Sequence, residues 1–293
     1  MPASQLAKPS WLRVRAPGGE RYHELERTLR GLRLHTVCQE ARCPNVGECW
    51  REGTATLMLL GGVCTRGCRF CAVPAGHPSP PEPDEPEHAA RAVAQMGLDY
   101  VVLTMVNRDD LPDGGAFHVA RAIGAMHELR SGLLVEALVG DFAGSQAAID
   151  AVVDAAPDVL GHNIEVVRRL TALVRDARCD YDRSLEVLAR AHARAPDRLT
   201  KSSLMVGIGE TDDEVQVALS DLRAVGVDIV TIGQYLRPSA RHAAVSRYVP
   251  PETFEAYRRA AEALGFAYVA SGPLVRSSYR AAQAFVRAMA SRR

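Results

Sequence analysis

The chain has 293 residues, 47% of them hydrophobic and 24% charged, a globular composition with room for one large core or two small ones. Its 35 basic residues cancel 35 acidic ones, so no whole-molecule field draws it to nucleic acid or anionic lipid, which argues against a dedicated polyanion binder. No apolar run approaches the roughly 20 residues of a membrane span, and the start Met-Pro-Ala-Ser-Gln-Leu-Ala-Lys has no apolar core before a small-residue cleavage site. A cytoplasmic, reducing compartment, with no membrane partner, is the expectation.

Residues 1–54 show no alternation of strand and helix patterns and carry Pro9, Pro17, Gly18 and Gly19, so they read as an extended arm packed across the remainder. From position 55, short apolar runs alternate with amphipathic stretches. Strands are expected at Ala55 to Leu60, Tyr100 to Thr104, Leu133 to Val139, Val159 to Ile164, Ser203 to Ile208 and Ile229 to Tyr235. Helices are expected near Pro86 to Met96, Ala116 to Leu129, Ser145 to Ala155, Glu165 to Leu173, Tyr181 to Arg194 and Thr211 to Val225, the fourth strand being followed by two. The proline-rich stretch Gly76 to Pro86 stiffens the link between the first strand and its helix. Thr211 with Glu214 forms a capping box, and Val215, Ala218, Leu219, Leu222 and Val225 share one face of the helix that follows. Beyond Pro250-Pro251 come a further helix, a short run Phe266 to Ala270 and a last basic helix ending at Arg293, which together form a carboxyl-terminal extension over 251–293.

Alternating βα units give an α/β fold. Six units fall short of the eight in a closed barrel, so residues 55–250 are expected to form an open, partial (β/α)6 barrel of TIM type. Its ligands belong at the carboxyl ends of the strands, where the loops Gly61 to Cys71 and Val106 to Gly115 emerge.

Six of the seven cysteines lie between positions 38 and 71, in two triplets: Cys38-x4-Cys43-x5-Cys49 and Cys64-x3-Cys68-x2-Cys71. They are too few for a disulfide scaffold. A closed zinc site or a ferredoxin cluster takes four protein ligands, so three thiolates leave one metal position for something else. In a four-iron four-sulfur cluster, an open iron can hold a substrate or cofactor, whereas a fully ligated cluster mainly passes electrons. A pure electron-transfer protein is disfavoured on that ground. Two structural zinc knuckles completed by His35, His77 or another side chain are the competing reading, although knuckles pair two cysteines twice over. Cys179, alone in Arg178-Cys179-Asp180, reads as an incidental thiol.

Cys64-Thr-Arg-Gly-Cys68-Arg-Phe-Cys71 resembles the signature of radical S-adenosylmethionine enzymes. Within that superfamily, Leu34-His-Thr-Val-Cys-Gln-Glu-Ala-Arg-Cys-Pro-Asn-Val-Gly-Glu-Cys-Trp50 resembles the lipoyl synthase family. The similarity continues through Lys8-Pro-Ser-Trp11, Arg108-Asp-Asp-Leu-Pro-Asp-Gly-Gly115, His162-Asn-Ile-Glu165, Gly233-Gln-Tyr-Leu236 and Arg276-Ser-Ser-Tyr279. It implies two 4Fe-4S clusters, with S-adenosylmethionine as cosubstrate. One cluster, on Cys64, Cys68 and Cys71, holds S-adenosylmethionine and releases a deoxyadenosyl radical from it. The other, auxiliary and consumed as sulfur donor, sits on Cys38, Cys43 and Cys49 with a serine of the Arg276–Tyr279 motif, Ser278 being preferred over Ser277. The radical removes hydrogen from unactivated carbons of an octanoyl chain. Such carbons have no acidic proton, so general bases are useless there and the cofactor must do the hard step.

The resemblance also implies cofactor contacts from Asn107, Asp109, Asn163, Glu165, Lys201 and Leu236, with Arg237 a further candidate at the mouth. Asp109, Asp110 and Gly114-Gly115 could shape the methionine pocket, and Val206-Gly-Ile-Gly209 could let backbone approach an adenine; turn chemistry and solvated charge are the rival readings. Helix capping is the rival for Ser277 and Ser278. Expected partners are octanoylated lipoyl carrier domains (E2 subunits of 2-oxoacid dehydrogenases and the glycine cleavage H protein), a flavodoxin or ferredoxin as electron donor, and an iron-sulfur carrier, with the enzyme a monomer. A sulfur-inserting radical enzyme acting on transfer RNA is disfavoured: about 14 residues follow Tyr279, too few for an appended RNA-binding barrel, and the net charge is zero. The chain departs from the family pattern at Gly62, Met105, Asn107, Gly140 and Val166, near expected strand ends.

Overall fold

Short apolar runs alternating with amphipathic stretches fold here into one sheet backed by helices. The computed structural model describes residues 7–13, 18, 20–32, 34–40, 43, 45–51, 56–130, 132–278, 286 and 289, with backbone alone at 21, 25, 48, 49 and 51. The amino-terminal segment supplies α1 (Glu20–Gly31), β1 (His35–Thr36), α2 (Val37–Glu40) and α3 (Val46–Arg51). The alternation follows: β2 (Thr56–Leu59), α4 (Glu85–Met96), β3 (Tyr100–Met105), α5 (Ala116–Leu129), β4 (Leu134–Leu138) and α6 (Gln146–Asp154). It continues with β5 (Val159–Gly161), α7 (Arg168–Val174), α8 (Tyr181–Arg194), β6 (Leu199–Val206), α9 (Asp212–Ala224), β7 (Ile229–Gln234), α10 (Pro251–Ala263) and β8 (Tyr268–Gly272).

The strands lie in chain order in one sheet, β1 antiparallel to β2 and the rest parallel. The sheet does not close on itself, so the open (β/α)6 barrel holds, widened by β1 on one edge and β8 on the other. Local chemistry sets the helix ends. Thr211 and Glu214 form the capping box of α9, Asp180 caps α8 by accepting from Arg183 N–H, and Gly97 ends α4 in the left-handed region at φ 64°. Among the described residues no helix is long and apolar enough to cross a membrane. Of the last basic helix expected to end at Arg293, only Val286 and Met289 lie within the described residues.

Several boundaries differ from the expected ones: β5 ends at Gly161 rather than Ile164, and α7 runs over Arg168–Val174 rather than Glu165 to Leu173. The fifth expected strand begins at Leu199 rather than Ser203, because the polar run Thr200-Lys201-Ser202-Ser203 is buried and conceals the start of the strand. The run Phe266 to Ala270 corresponds to β8, a seventh parallel strand.

On the outer faces of the strands, Leu57, Leu59, Val101, Leu103, Val135 and Ala137 pack beneath α4, α5 and α6. Leu204, Val206, Val230 and Ile232 pack beneath α9 and α10, against Val215, Leu219, Phe254 and Tyr257. Alternate residues point inward. Tyr100, Val102, Val159, Leu199, Ile229 and Val286 fill the amino end of the barrel. Tyr100 donates its hydroxyl proton to Glu136, and Lys201 Nζ donates to both Glu136 carboxylate oxygens at 2.7 and 2.8 Å. Glu136 and Lys201 stand two residues before Leu138 and Ser203 on the same inner faces, so this buried pair floors the space above it. Lys201→Ala would leave a carboxylate buried without its cation, and a loss of about 3–5 kcal/mol in unfolding free energy is expected by denaturant titration.

Candidate active site

Above that floor the carboxyl ends of the strands enclose a cavity of about 550 Å³, within the ordinary range of small-molecule sites. The second cysteine triplet forms part of its wall: Cys64, Cys68 and Cys71 all line it. Their loop leaves β2 through Leu60, which is held at φ 69° while its N–H donates to Glu85 Oε2 at 2.7 Å. The loop is then pinned by backbone bonds from Cys64 N–H to Pro74 O (2.8 Å), Gly76 N–H to Cys64 O (2.9 Å), Thr65 N–H to Asn107 O (3.0 Å) and Arg69 N–H to Val174 O (2.7 Å). Two N–H groups donate to sulfur, Arg66 to Cys64 at 3.4 Å and Asp176 to Cys68 at 3.3 Å.

Arg66, inside the triplet, is the buried hub. Its guanidinium donates to Asp109 Oδ1 at 2.7 Å and Oδ2 at 3.0 Å, and to Asp141 Oδ1 at 2.7 Å. Burial disfavours its charge, and the two carboxylates more than offset this, so the net shift raises its pKa. Burial would push both carboxylates up; Arg66 reverses that and holds them below the usual range.

The first triplet is built on the arm. Cys38, on α2, is buried in the core, and Cys43 lines the cavity. The backbone of Cys49 lies in α3, and its side chain is outside the described residues. Burial raises both described thiols; a backbone N–H of Thr56 opposes this at Cys38, and a backbone N–H of Asn45 and the charge of Arg276 oppose it at Cys43. The Asn45 amide donates to Leu274 O at 2.7 Å, drawing the segment after β8 to the arm. Val275, Arg276, Ser277 and Ser278 consequently line the same cavity as Cys43. Tyr279 and most of the helix these serines could cap lie outside the described residues.

Asn107, Asn163, Glu165, Leu236 and Arg237 also reach the cavity. Glu165 sits at φ 65°, a strained backbone for a non-glycine residue, and accepts from the Asn163 amide at 3.1 Å. Burial raises its carboxyl, against the lowering effects of Arg175 and Asn163. Arg237 is turned onto backbone, Nε donating to His242 O at 2.9 Å.

Two expected contact residues are not brought there. Lys201 is consumed by Glu136 below the cavity, and Asp109 lies outside the lining, paired with Arg66. Asp110 pairs with Arg108, and the N–H groups of Gly207, Ile208 and Gly209 all donate to Glu210. Turn chemistry is therefore what the structure shows at Val206–Gly209.

Three residues that sequence reasoning undervalued line the cavity. Cys179, read as incidental, accepts from Arg66 Nη1 at 3.6 Å. A hydrogen bond with Cys68, then the charges of Arg175 and Arg66, hold its thiol below the ordinary range against the effect of burial. No local pattern marks it, since its partners come from another loop. His162 donates Nδ1–H to Val139 O at 2.8 Å and leaves Nε2 buried without a partner. Arg276 likewise has an unpartnered Nη2.

Among the described residues no group of three Cys, His, Asp or Glu side chains is placed to hold a single metal ion. Thiolates on a cubic cluster each take a different iron, so they need to share a wall rather than converge on one point.

In sequence, residues 58–222 match the Radical SAM superfamily, and residues 2–43 match the N-terminal domain of lipoyl synthase of that family. The chain is 64% identical to the lipoyl synthase of Sorangium cellulosum, covering 97% of this chain and 81% of that one. It is 62% identical to that of Anaeromyxobacter dehalogenans, covering 96% and 95%, and 53% identical to the chloroplastic lipoyl synthase of Ricinus communis, covering 98% and 81%. In fold it resembles methylornithine synthase (TM-score 0.50, 14% identity, 94% of this chain and 89% of that one). It also resembles Streptococcus suis SuiB (TM-score 0.58, 9% identity, 78% of this chain and 52% of that one).

An open barrel with a three-thiol loop at its mouth, in a chain that matches the superfamily over 58–222, is a radical S-adenosylmethionine enzyme, a class that implies a 4Fe-4S cluster and S-adenosylmethionine. At this identity over almost its whole length, the chain belongs to the lipoyl synthase family.

Burial holds His162 down to about 4. A histidine whose folded value lies below its unfolded one loses native stability as pH falls from about 6.5 toward 4, by up to about 3 kcal/mol. In the metal-free protein, His162→Gln is expected to flatten the fall in unfolding free energy between pH 7 and pH 4.5. Denaturant melts at those two pH values check this.

Proposed function

We propose that the chain inserts two sulfur atoms, at C6 and C8, into an octanoyl chain carried on a lysine of lipoyl carrier domains, producing the lipoyl group. The carriers are E2 subunits of 2-oxoacid dehydrogenases and the glycine cleavage H protein; a flavodoxin or ferredoxin gives electrons, an iron-sulfur carrier rebuilds what is consumed, and the enzyme works as a cytoplasmic monomer without nucleic acid. The observation that supports this reading most is that one cavity receives Cys64, Cys68 and Cys71 from the barrel together with Cys43 from the arm and Ser277 and Ser278 from the carboxyl-terminal segment. When bound, S-adenosylmethionine and the clusters supply the radical and the sulfur.

The protein's own residues have distinct tasks in this reading. Cys64, Cys68 and Cys71 hold one cluster, and Cys38, Cys43, Cys49 and Ser278 hold the auxiliary one, thiolates being the natural donors to iron-sulfur centres. Arg66 fixes the first loop through Asp109 and Asp141. Asn107, Asn163, Glu165 and Leu236 face S-adenosylmethionine. Met58, Met105, Leu138, Met205 and Val73 give the cavity an apolar lining suited to an octanoyl chain, and the Lys201–Glu136 floor closes it from below. The division into an arm (1–54), a barrel (55–250) and an extension (251–293) belongs to this reading, with the auxiliary site divided between the outer two.

The direct test is anaerobic incubation of reconstituted protein with an octanoyl-lysine peptide, S-adenosylmethionine and reductant. Mass analysis is expected to find two added sulfurs on the peptide; an unmodified peptide from protein loaded with both clusters would refute the proposal. Replacing Cys64, Cys68 and Cys71 with Ala is expected to abolish reductive cleavage of S-adenosylmethionine. Replacing Cys38, Cys43 and Cys49 should spare cleavage and abolish sulfur insertion. Ser278→Ala should behave like the latter set, whereas Ser277→Ala should cost at most about 1 kcal/mol of stability and leave turnover largely intact. Deoxyadenosine and lipoyl product per enzyme, measured side by side with iron content, separate these outcomes.

A further inference from the structure

Other buried guanidinium groups in this fold are matched by acceptors: Arg66 by Asp109 and Asp141, Arg108 by Asp110, and Arg175 by the oxygens of Ile164 and Ser184. Arg276 is different. It follows the turn after β8, where Val275 O lies so close to β7 that a Cβ on Gly233 would come within 2.1 Å of it. Its side chain turns into the cavity; Nη1 donates to Val275 O at 2.6 Å, while Nη2 is sealed from solvent without an acceptor among the described residues. Among the described residues no carboxylate forms an ion pair with it, and Cys43 is the one titratable group whose charge acts on it. A guanidinium desolvated without a counter-ion costs several kcal/mol, so a fold that keeps one at a cavity wall is built to receive an anion there.

We propose that Arg276 is a positioning residue whose guanidinium is the counter-charge of the auxiliary cluster, pairing with the anionic assembly formed when Cys38, Cys43, Cys49 and Ser278 ligate iron. The inference rests on the auxiliary-cluster reading above. It accounts for three observations together: the unused Nη2, the place of Arg276 on the same cavity wall as Cys43 and Ser278, and the close seating of residue 275 on Gly233, which fixes where the guanidinium stands. Three thiolates and a serine oxygen outweigh the positive charge of the iron-sulfur core, so the assembly is a net anion. Bonds from a guanidinium to such an anion are charge-assisted, and Arg presents two N–H edges where Lys offers a point charge.

The test uses the full chain with Cys64, Cys68 and Cys71 replaced by Ala, so that only the arm's cluster loads and S-adenosylmethionine has no iron to bind. Arg276→Gln and Arg276→Lys are compared with Arg276 in that background. Three readouts are taken: the midpoint potential by spectroscopic redox titration, the rate of iron loss to a chelator, and thermal unfolding with and without cluster. Arg276→Gln is expected to move the potential to more negative values, since removing a neighbouring positive charge disfavours the added electron. It should also speed iron loss roughly tenfold, equivalent to about 1.4 kcal/mol. Arg276→Lys should recover part of both effects.

Without cluster, Arg276→Gln should unfold at the same temperature as Arg276 or higher, because it relieves an unmatched charge. Unchanged potential and unchanged iron loss would overturn the proposal. So would equal destabilisation of Arg276→Gln with and without cluster, which would mark a purely structural arginine. If the chain with Arg276 intact loads no cluster on the arm, the auxiliary-cluster reading itself fails and the inference with it, an outcome visible before any Arg276 variant is made.

Discussion

A guanidinium buried with two carboxylates organises this active site. Arg66 belongs to the loop after β2, Asp109 to the loop after β3 and Asp141 to the loop after β4, so one charge gathers three neighbouring strand ends. Removing either carboxylate partner would strand part of that charge in a place water cannot reach. Because Arg66 lies between Cys64 and Cys68, the same interaction that satisfies the arginine sets the wall on which the thiols stand. The segment after α7 adds to it: Asp176 accepts from Gly67 N–H at 2.8 Å, and Arg178 donates to Thr65 O at 2.6 Å. The cysteine loop has no regular secondary structure of its own, and its shape is borrowed from these neighbours.

The barrel was legible in the sequence because its signals are local. Helices α5 and α8 run over Ala116–Leu129 and Tyr181–Arg194, the expected residues, since apolar periodicity and end chemistry occur together there. Where polar residues face inward, legibility fails: the start of β6 was hidden because Thr200, Lys201 and Ser202 meet their partners Asp228, Glu136 and Ile164 N–H only after the sheet forms. The same limit explains the site. Cysteine spacing is a short-range pattern and could be read, whereas the roles of Lys201 and Asp109 depend on Glu136 and Arg66, 65 and 43 positions away. Cys179 is the converse case, a residue without a pattern that long-range packing brings beside Cys68.

Several departures from the family pattern are explained by their neighbours. A Cβ on Gly140 would come within 2.5 Å of Asn107 Oδ1, so the carboxamide occupies the space that a side chain at position 140 would need. A Cβ on Gly62 would lie 3.0 Å from the His35 ring, which is packed over it and held by Glu40. Val166 is buried in the core beside Ile164 and Val167, away from the cavity. Met105 lines the cavity itself and adds to its apolar surface.

The bond between Asn45 and Leu274 joins residues 229 positions apart, and it is what places Cys43 and Ser278 around one space. On a ribosome, the arm with its three thiols emerges first, and the serine only after every strand of the barrel has been made. In the proposed reading, a cluster held by both ends of the chain can form only once the last strand is in place, which would make its loading a maturation step that follows folding.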